Sequence, residues 1–223
     1  MNIAPYIDHT LLKPTALFPD IIKLCNEALL NHFAAVCIPP PFVGKAKTML
    51  AGSAVKVATV IGFPMGYPVT EAKIAEILSA IGDGADELDM VINLIHLKNQ
   101  EWQYLAQEID LIMPVIRENK KIVKVIIESG LLTREEIIGC CKLYGEAGVD
   151  FLKTSTGYAE KQATVETVAL LRSHLPGFVR IKASGGIRTY DFAKALIDAG
   201  ADRIGTSAGP GILAGAAGVS LES

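Results

Sequence analysis

The chain has 223 residues, 50% of them apolar and 20% charged, a make-up that suits one soluble globular domain over residues 1–223 and excludes a disordered or fibrous protein. Its net charge is −3, with lysine and arginine scattered rather than blocked, so neither duplex nucleic acid nor an anionic membrane is an expected partner. Met1 to Tyr6 lacks the basic and apolar regions of a secretory signal, and no apolar run has the length of a membrane span; a cytoplasmic protein is expected.

From the N-terminus onward, short β-rich runs alternate with helical patterns. The expected strands are Tyr6 to Thr10, Ala34 to Ile38, Lys56 to Ile61, Glu87 to Asn93, Val123 to Glu128, Asp150 to Ser155, Val179 to Ala183 and Arg203 to Thr206. Between them, Ile74, Ile77, Leu78 and Ile81 recur at helical spacing, as do Phe192, Ala195, Leu196 and Ala199. Thr133 and Glu136 form a capping box ahead of Ile137 and Ile138. Three helices end in similar joints, Gly84-Ala85-Asp86, Gly148-Val149-Asp150 and Gly200-Ala201-Asp202, each followed at once by a strand. One βα unit used eight times favours a closed (β/α)₈ TIM barrel, in the α/β class, over an open doubly wound sheet. No GxGxxG follows the first strand, which weighs against the open alternative. The small-residue stretch Gly209 to Gly218 reads as a loop and tail.

Strands covered on both faces should be apolar throughout. Several here are not: Asp89, Lys124, Lys153, Arg180 and Lys182 each interrupt a run of valine, isoleucine or leucine. Burying such a charge unpaired is costly. Side chains alternate along a strand, so Lys153 shares a face with Ser155, and Lys182 with Ser184. Both lysines lie near the C-terminal ends of their strands, where barrels build active sites. Amines held together in a dry pocket disfavour each other's protons, and a neutral amine attacks carbonyls. Lys124 and Arg180 fit equally well as structural ion pairs closing the bottom of the barrel. Glycine-rich ends after the last three strands, Thr156-Gly157, Ser184-Gly185-Gly186-Ile187-Arg188 and Gly205-Thr206-Ser207-Ala208-Gly209, suit a phosphate site. Cys25, Cys37, Cys140 and Cys141 contain no CxxC and read as reduced thiols, Cys37 as buried packing near a strand end. His9, His32, His96 and His174 have no zinc-binding spacing.

Together these motifs resemble the deoxyribose-phosphate aldolases of the short bacterial type, nearly end to end. The resemblance is carried by Ile7 to Pro14, Val60 to Gly66, Gly84 to Asn93, Lys124 to Glu128, Phe151 to Gly157, Lys182 to Thr189 and Arg203 to Ser207. It implies a class I aldolase that cleaves 2-deoxy-D-ribose 5-phosphate reversibly to D-glyceraldehyde 3-phosphate and acetaldehyde. Lys153 would be the Schiff-base lysine, Lys182 the cation that lowers its pKa and Asp89 part of the proton relay, with Asp8, Lys124 and Thr156 in support. Gly157, Gly185, Gly186, Gly205 and Ser207 would contact phosphate, and Arg188 is either a further cation there or a turn ion pair. No metal or other cofactor is implied, and a homodimer would suit the architecture. The chain departs from the family in having Ala208 where a second serine is common, and the tail beyond Gly209 follows no strong family pattern. Two rival readings are another class I aldolase or transaldolase acting on ketoses, and a non-catalytic phosphosugar-binding barrel.

Overall fold

The computed structural model describes residues 1–216. Its elements in chain order are β1 (Ile7–Thr10), α1 (Phe18–Asn31), β2 (Ala35–Ile38), α2 (Val43–Met49), β3 (Lys56–Ile61), α3 (Thr70–Gly82), β4 (Glu87–Val91), α4 (Leu94–Lys98) and α5 (Trp102–Glu118). They continue with β5 (Ile122–Ile126), α6 (Arg134–Glu146), β6 (Phe151–Lys153), α7 (Val165–His174), β7 (Arg180–Ser184), α8 (Tyr190–Asp198), β8 (Arg203–Thr206) and α9 (Gly209–Ala216). The eight strands are parallel and close in sequential order, β8 pairing with β1 through Asp8 and Gly205. This is the (β/α)₈ barrel expected from the sequence. Among the described residues no helix is long and apolar enough to cross a membrane.

The three Gly-x-Asp joints do more than end helices. Gly84, Gly148 and Gly200 take positive φ, the left-handed turn for which glycine has no Cβ penalty. Each aspartate that follows reaches back to the amide of the neighbouring strand: Asp86 accepts from Val57 N at 2.9 Å, Asp150 from Val123 N at 3.0 Å and Asp202 from Ile181 N at 2.8 Å. β4, β6 and β8 are thus each keyed to the preceding strand at the N-terminal rim. Lys47 and Arg117 pair with Asp86 and Asp150.

Both expected helices form, but their buried stripes only partly match the expected faces: α3 buries Lys73, Ile77 and Ala80 while Leu78 is half exposed, and α8 buries Ala193 and Leu196. The Thr133–Glu136 capping box opens α6 as expected. Several strands are shorter than expected because polar residues at the C-terminal rim leave the ladder for other hydrogen bonds. Asn93 becomes the N-cap of α4, accepting from His96 N, and Glu128 leaves the strand in a left-handed conformation. The stretch from Gly209 requires a correction: Gly209–Ala216 is a helix rather than a loop, while residues 217–218 lie outside the described residues. Ile212 is fully buried in it, a gain of about 1.5–3 kcal/mol. Gly209 packs so closely that a Cβ there would come within 2.9 Å of the Phe33 ring. At Gly209 the small residue is a packing requirement.

Candidate active site

The barrel interior divides by polarity. On one side Cys37, Ala58 and Val60 form a small apolar cluster, with Leu12 and Phe63 packed against it. On the other, seven ionisable groups from six strands converge: Asp8 on β1, Glu87 and Asp89 on β4, Lys124 on β5, Lys153 on β6, Lys182 on β7 and Arg203 on β8. Asp89 is the hub. Its Oδ2 accepts from both Lys153 Nζ and Lys182 Nζ at 2.8 Å, and its Oδ1 accepts from Lys124 Nζ at 2.8 Å. Lys182 also reaches Asp8 at 2.5 Å, Lys124 reaches Glu87 at 2.6 Å, and Arg203 bridges Asp8 at 2.6 Å and Glu87 at 3.3 Å.

Four cations face three carboxylates, so full ionisation leaves one surplus positive charge in a dry interior. The perturbed pKa values single out the group that relieves it. Burial, assisted by the Lys182 charge, pulls the Lys153 amine below its ordinary range against the opposing pull of Asp89. Burial acts on Lys182 in the same sense, but Asp8 and Asp89 outweigh it and hold that amine above its ordinary range. Lys124 is likewise raised, with Asp89, Glu87 and Asp8 overcoming burial. Burial disfavours ionised Asp8 and Asp89, yet the surrounding lysines keep both below the usual carboxylate range. Of these four cations, Lys153 gives up its proton most readily, leaving three cations against three carboxylates.

Lys153 is also where this network meets a cavity. A cleft of about 410 Å³ opens at the C-terminal face between the ends of β6, β7, β8 and β1. Lys153 lines it, whereas Lys182, Lys124 and Asp89 do not; they are fully buried beneath. Thr156, Gly157, Gly185, Gly186, Gly205 and Ser207 all line the same cleft, with the cations Lys13 and Arg188 at its exposed edge. Among the described residues Arg188 makes no ion pair, so the turn-bridge alternative finds no partner. Tyr158 ties the mouth together: its hydroxyl donates to Leu12 O at 2.9 Å and its ring meets Phe63 edge-on. The Ser184 hydroxyl is buried without a partner in the cavity wall, available to a substrate hydroxyl or water.

Gly205 lies within β8, where its missing side chain makes room for others: a Cβ there would lie 3.1 Å from Lys182 Cε and would collide with Ser184 Oγ. The expected bottom closure also differs in detail. Arg180 stacks on the Phe151 ring at 4.0 Å, and among the described residues it forms no ion pair. Lys124 does form ion pairs, with Glu87 and Asp89, as part of the central network. Glu87 and Arg203 were missed as members of that network. Glu87 precedes Asp89 by two residues, the spacing of one strand face, and is a legible signal; Arg203 opens β8, a position that carries no such signal. Cys37 is buried as expected, but its Sγ also lies 3.8 Å from Asp89 Oδ2, and burial followed by the Asp89 charge raises its thiol pKa.

A lysine amine held below its ordinary range at the floor of an open cleft can add to a carbonyl. The chain belongs to the DeoC/LacD family of aldolases, which it matches over residues 3–220, and is therefore a lyase. It is 52% identical over 218 residues to the deoxyribose-phosphate aldolase of Thermococcus gammatolerans, covering 97% of each chain. The Thermococcus kodakarensis enzyme of the same name is 51% identical over 217 residues, 96% of this chain and 97% of that one. Among solved structures, the deoxyribose phosphate aldolase of Aeropyrum pernix, a tetramer, superposes with a TM-score of 0.88 at 34% identity over 95% of this chain and 89% of that one. Orotidine 5′-phosphate decarboxylase from Pyrococcus horikoshii, at 12% identity and a TM-score of 0.65 over 94% of this chain and all of that one, shares the fold alone.

Proposed function

We propose that the protein cleaves 2-deoxy-D-ribose 5-phosphate reversibly to D-glyceraldehyde 3-phosphate and acetaldehyde through a Schiff base on Lys153. The observation that carries this reading is that Lys153 alone among the three clustered lysines lines the cleft, and that its amine is the one held below its ordinary pKa. Neutral Lys153 adds to the C1 aldehyde of the open-chain sugar, and loss of water gives the iminium. When the C3 hydroxyl loses its proton, the C2–C3 bond breaks, glyceraldehyde 3-phosphate leaves and the bonding electrons pass into the iminium to give an enamine. Protonation of the enamine at C2 and hydrolysis release acetaldehyde and restore the amine.

Asp89 has both oxygens engaged by lysines and does not line the cleft, so its part in proton transfer runs through the amines it holds. The iminium restores the fourth positive charge, which the three carboxylates accommodate better than water-free apolar walls would. Lys182 keeps Lys153 deprotonated between turnovers, and Asp8 and Lys124 keep Lys182 and Asp89 charged. The substrate phosphate fits the far end of the cleft. Among the described residues the amides of Gly157, Gly185, Gly186 and Ser207 donate to no protein acceptor, and Ser207 stands just ahead of the N-terminus of α9, whose dipole favours an anion. Lys13 and Arg188 add charge at the edge. Ala208, which replaces a serine common in the family, does not itself line the cleft.

The test is intact-mass analysis and peptide mapping after incubation with acetaldehyde and borohydride, in wild type and in Lys153→Leu. A reduced two-carbon adduct on Lys153, absent from the variant, is expected; an adduct retained in the variant would assign the chemistry to another lysine. Wild type without any adduct would remove the Schiff-base reading.

A further inference from the structure

Outside the lysine network one buried carboxylate stands apart. Glu128, just beyond β5, is 3% exposed and has φ of 50°, a conformation rarely adopted by residues with a Cβ and one that tends to mark functional sites. Among the described residues no lysine, arginine or histidine pairs with it. Its Oε2 instead accepts from the backbone N–H of Thr156 at 3.1 Å and, in a short contact, from the Thr156 hydroxyl. The same hydroxyl oxygen accepts from Tyr158 N at 3.1 Å. Neighbouring backbone bonds lace the two segments together, Ile127 N to Lys153 O at 3.1 Å and Ser129 N to Thr154 O at 2.7 Å. The other carboxylate oxygen, Oε1, has no partner.

The consequence concerns the amide between the two that are held. Thr156 N and Tyr158 N are both engaged by this relay. Gly157 N is left without a protein acceptor among the described residues, on a glycine that lines the cleft with φ of 92°. A loop free to relax would satisfy that amide within itself; one pinned on either side cannot readily do so.

We propose that Glu128 is a positioning residue: through Thr156 it fixes the loop after Lys153 so that the Gly157 amide stays available to the phosphate of the substrate. The proposal rests on the aldolase reading above for the identity of the anion. It assigns Glu128 to substrate binding rather than to imine chemistry, and that separates it from a mere brace of the fold, whose loss would weaken both.

The experiment compares wild type, Glu128→Ala and Glu128→Gln in the full chain by three measurements: KM and kcat for 2-deoxyribose 5-phosphate, affinity for inorganic phosphate from the Gly157 amide shift, and borohydride trapping of acetaldehyde, which carries no phosphate. Losing an acceptor for two donors should raise KM and weaken phosphate binding by roughly tenfold in Glu128→Ala, with acetaldehyde trapping unchanged. Glu128→Gln keeps an acceptor oxygen and should remain close to wild type. Unchanged KM and phosphate affinity in Glu128→Ala would overturn the proposal, as would a fall in trapping by the same factor, or a glutamine variant as impaired as the alanine one. Should Glu128→Ala not fold, Glu128→Asp draws the acceptor back from Thr156 by one methylene and must show the same split between phosphate binding and trapping for the proposal to stand. If wild type traps no acetaldehyde, the aldolase reading fails, while the phosphate titration still decides the role of Glu128.

Discussion

Replacing Lys182 with methionine should move the pH at which Lys153 becomes nucleophilic. The two amines each contact the same Asp89 oxygen at 2.8 Å, so their nitrogens lie no more than twice that, about 5.6 Å, apart. At an effective dielectric of about 20, two unit charges at that separation repel by roughly 3 kcal/mol, or about two pH units on the amine that yields. Removing the Lys182 charge also leaves Asp8 and Asp89 less neutralised, which pulls Lys153 upward in the same sense. The neutral fraction of Lys153 at neutral pH should therefore drop by as much as about a hundredfold and recover at alkaline pH. The assay is the rate of acetaldehyde trapping by cyanoborohydride as a function of pH, with folding checked by circular dichroism. Asp8→Asn added to Lys182→Met restores the charge count, and keeps the test valid should the single variant be destabilised by an unpaired buried carboxylate. A folded variant whose trapping profile coincides with that of wild type would refute the electrostatic argument.

Acid should unfold the barrel partly through its central carboxylates. Burial works to raise the Asp8 carboxyl from its ordinary 3.8, but Lys182, Lys124 and Arg203 lower it overall. Its stabilising contribution is therefore complete above the unfolded value and is lost as pH falls from there toward the folded one; Asp8→Asn should flatten the dependence of the urea midpoint on pH below about 4, and an undiminished slope would count against this. Gly205→Ala should displace Lys182, destabilising the fold by about 1–3 kcal/mol and shifting the trapping profile upward. By contrast, Gly211→Ala, where a Cβ would meet nothing within 4 Å, should leave both unchanged. Equal effects of the two glycine substitutions, by thermal melting and trapping, would show that Gly205 is not there to make room for Lys182.

Much of this architecture was legible because parallel barrel strands are buried on both faces. An ionisable side chain there needs a reason, and Asp89, Lys153 and Lys182 stood out for that reason alone. The Gly-x-Asp joints revealed the repeating unit, since a left-handed glycine and a short acceptor have local causes. Local signals were weaker where contacts reach across the barrel: nothing at Asp86, Asp150 or Asp202 announced that each carboxylate keys the strand before it, and nothing at Gly209–Ala216 distinguished a tightly packed helix from a tail.

What the amino-acid sequence determined by itself was the order of strands and helices, the set of charges that must lie inside, and the resemblance that named a reaction to expect. Only the tertiary structure shows how differently the two strand lysines are surrounded. Lys153 and Lys182 look alike along the chain, but Lys153 ends its strand at the floor of the cleft, while Lys182 sits beneath it between Asp8 and Asp89. Those surroundings lower one amine and raise the other, because the ionisation of a buried group depends on how many charges of each sign close around it, a number that exists only once the eight strands have closed.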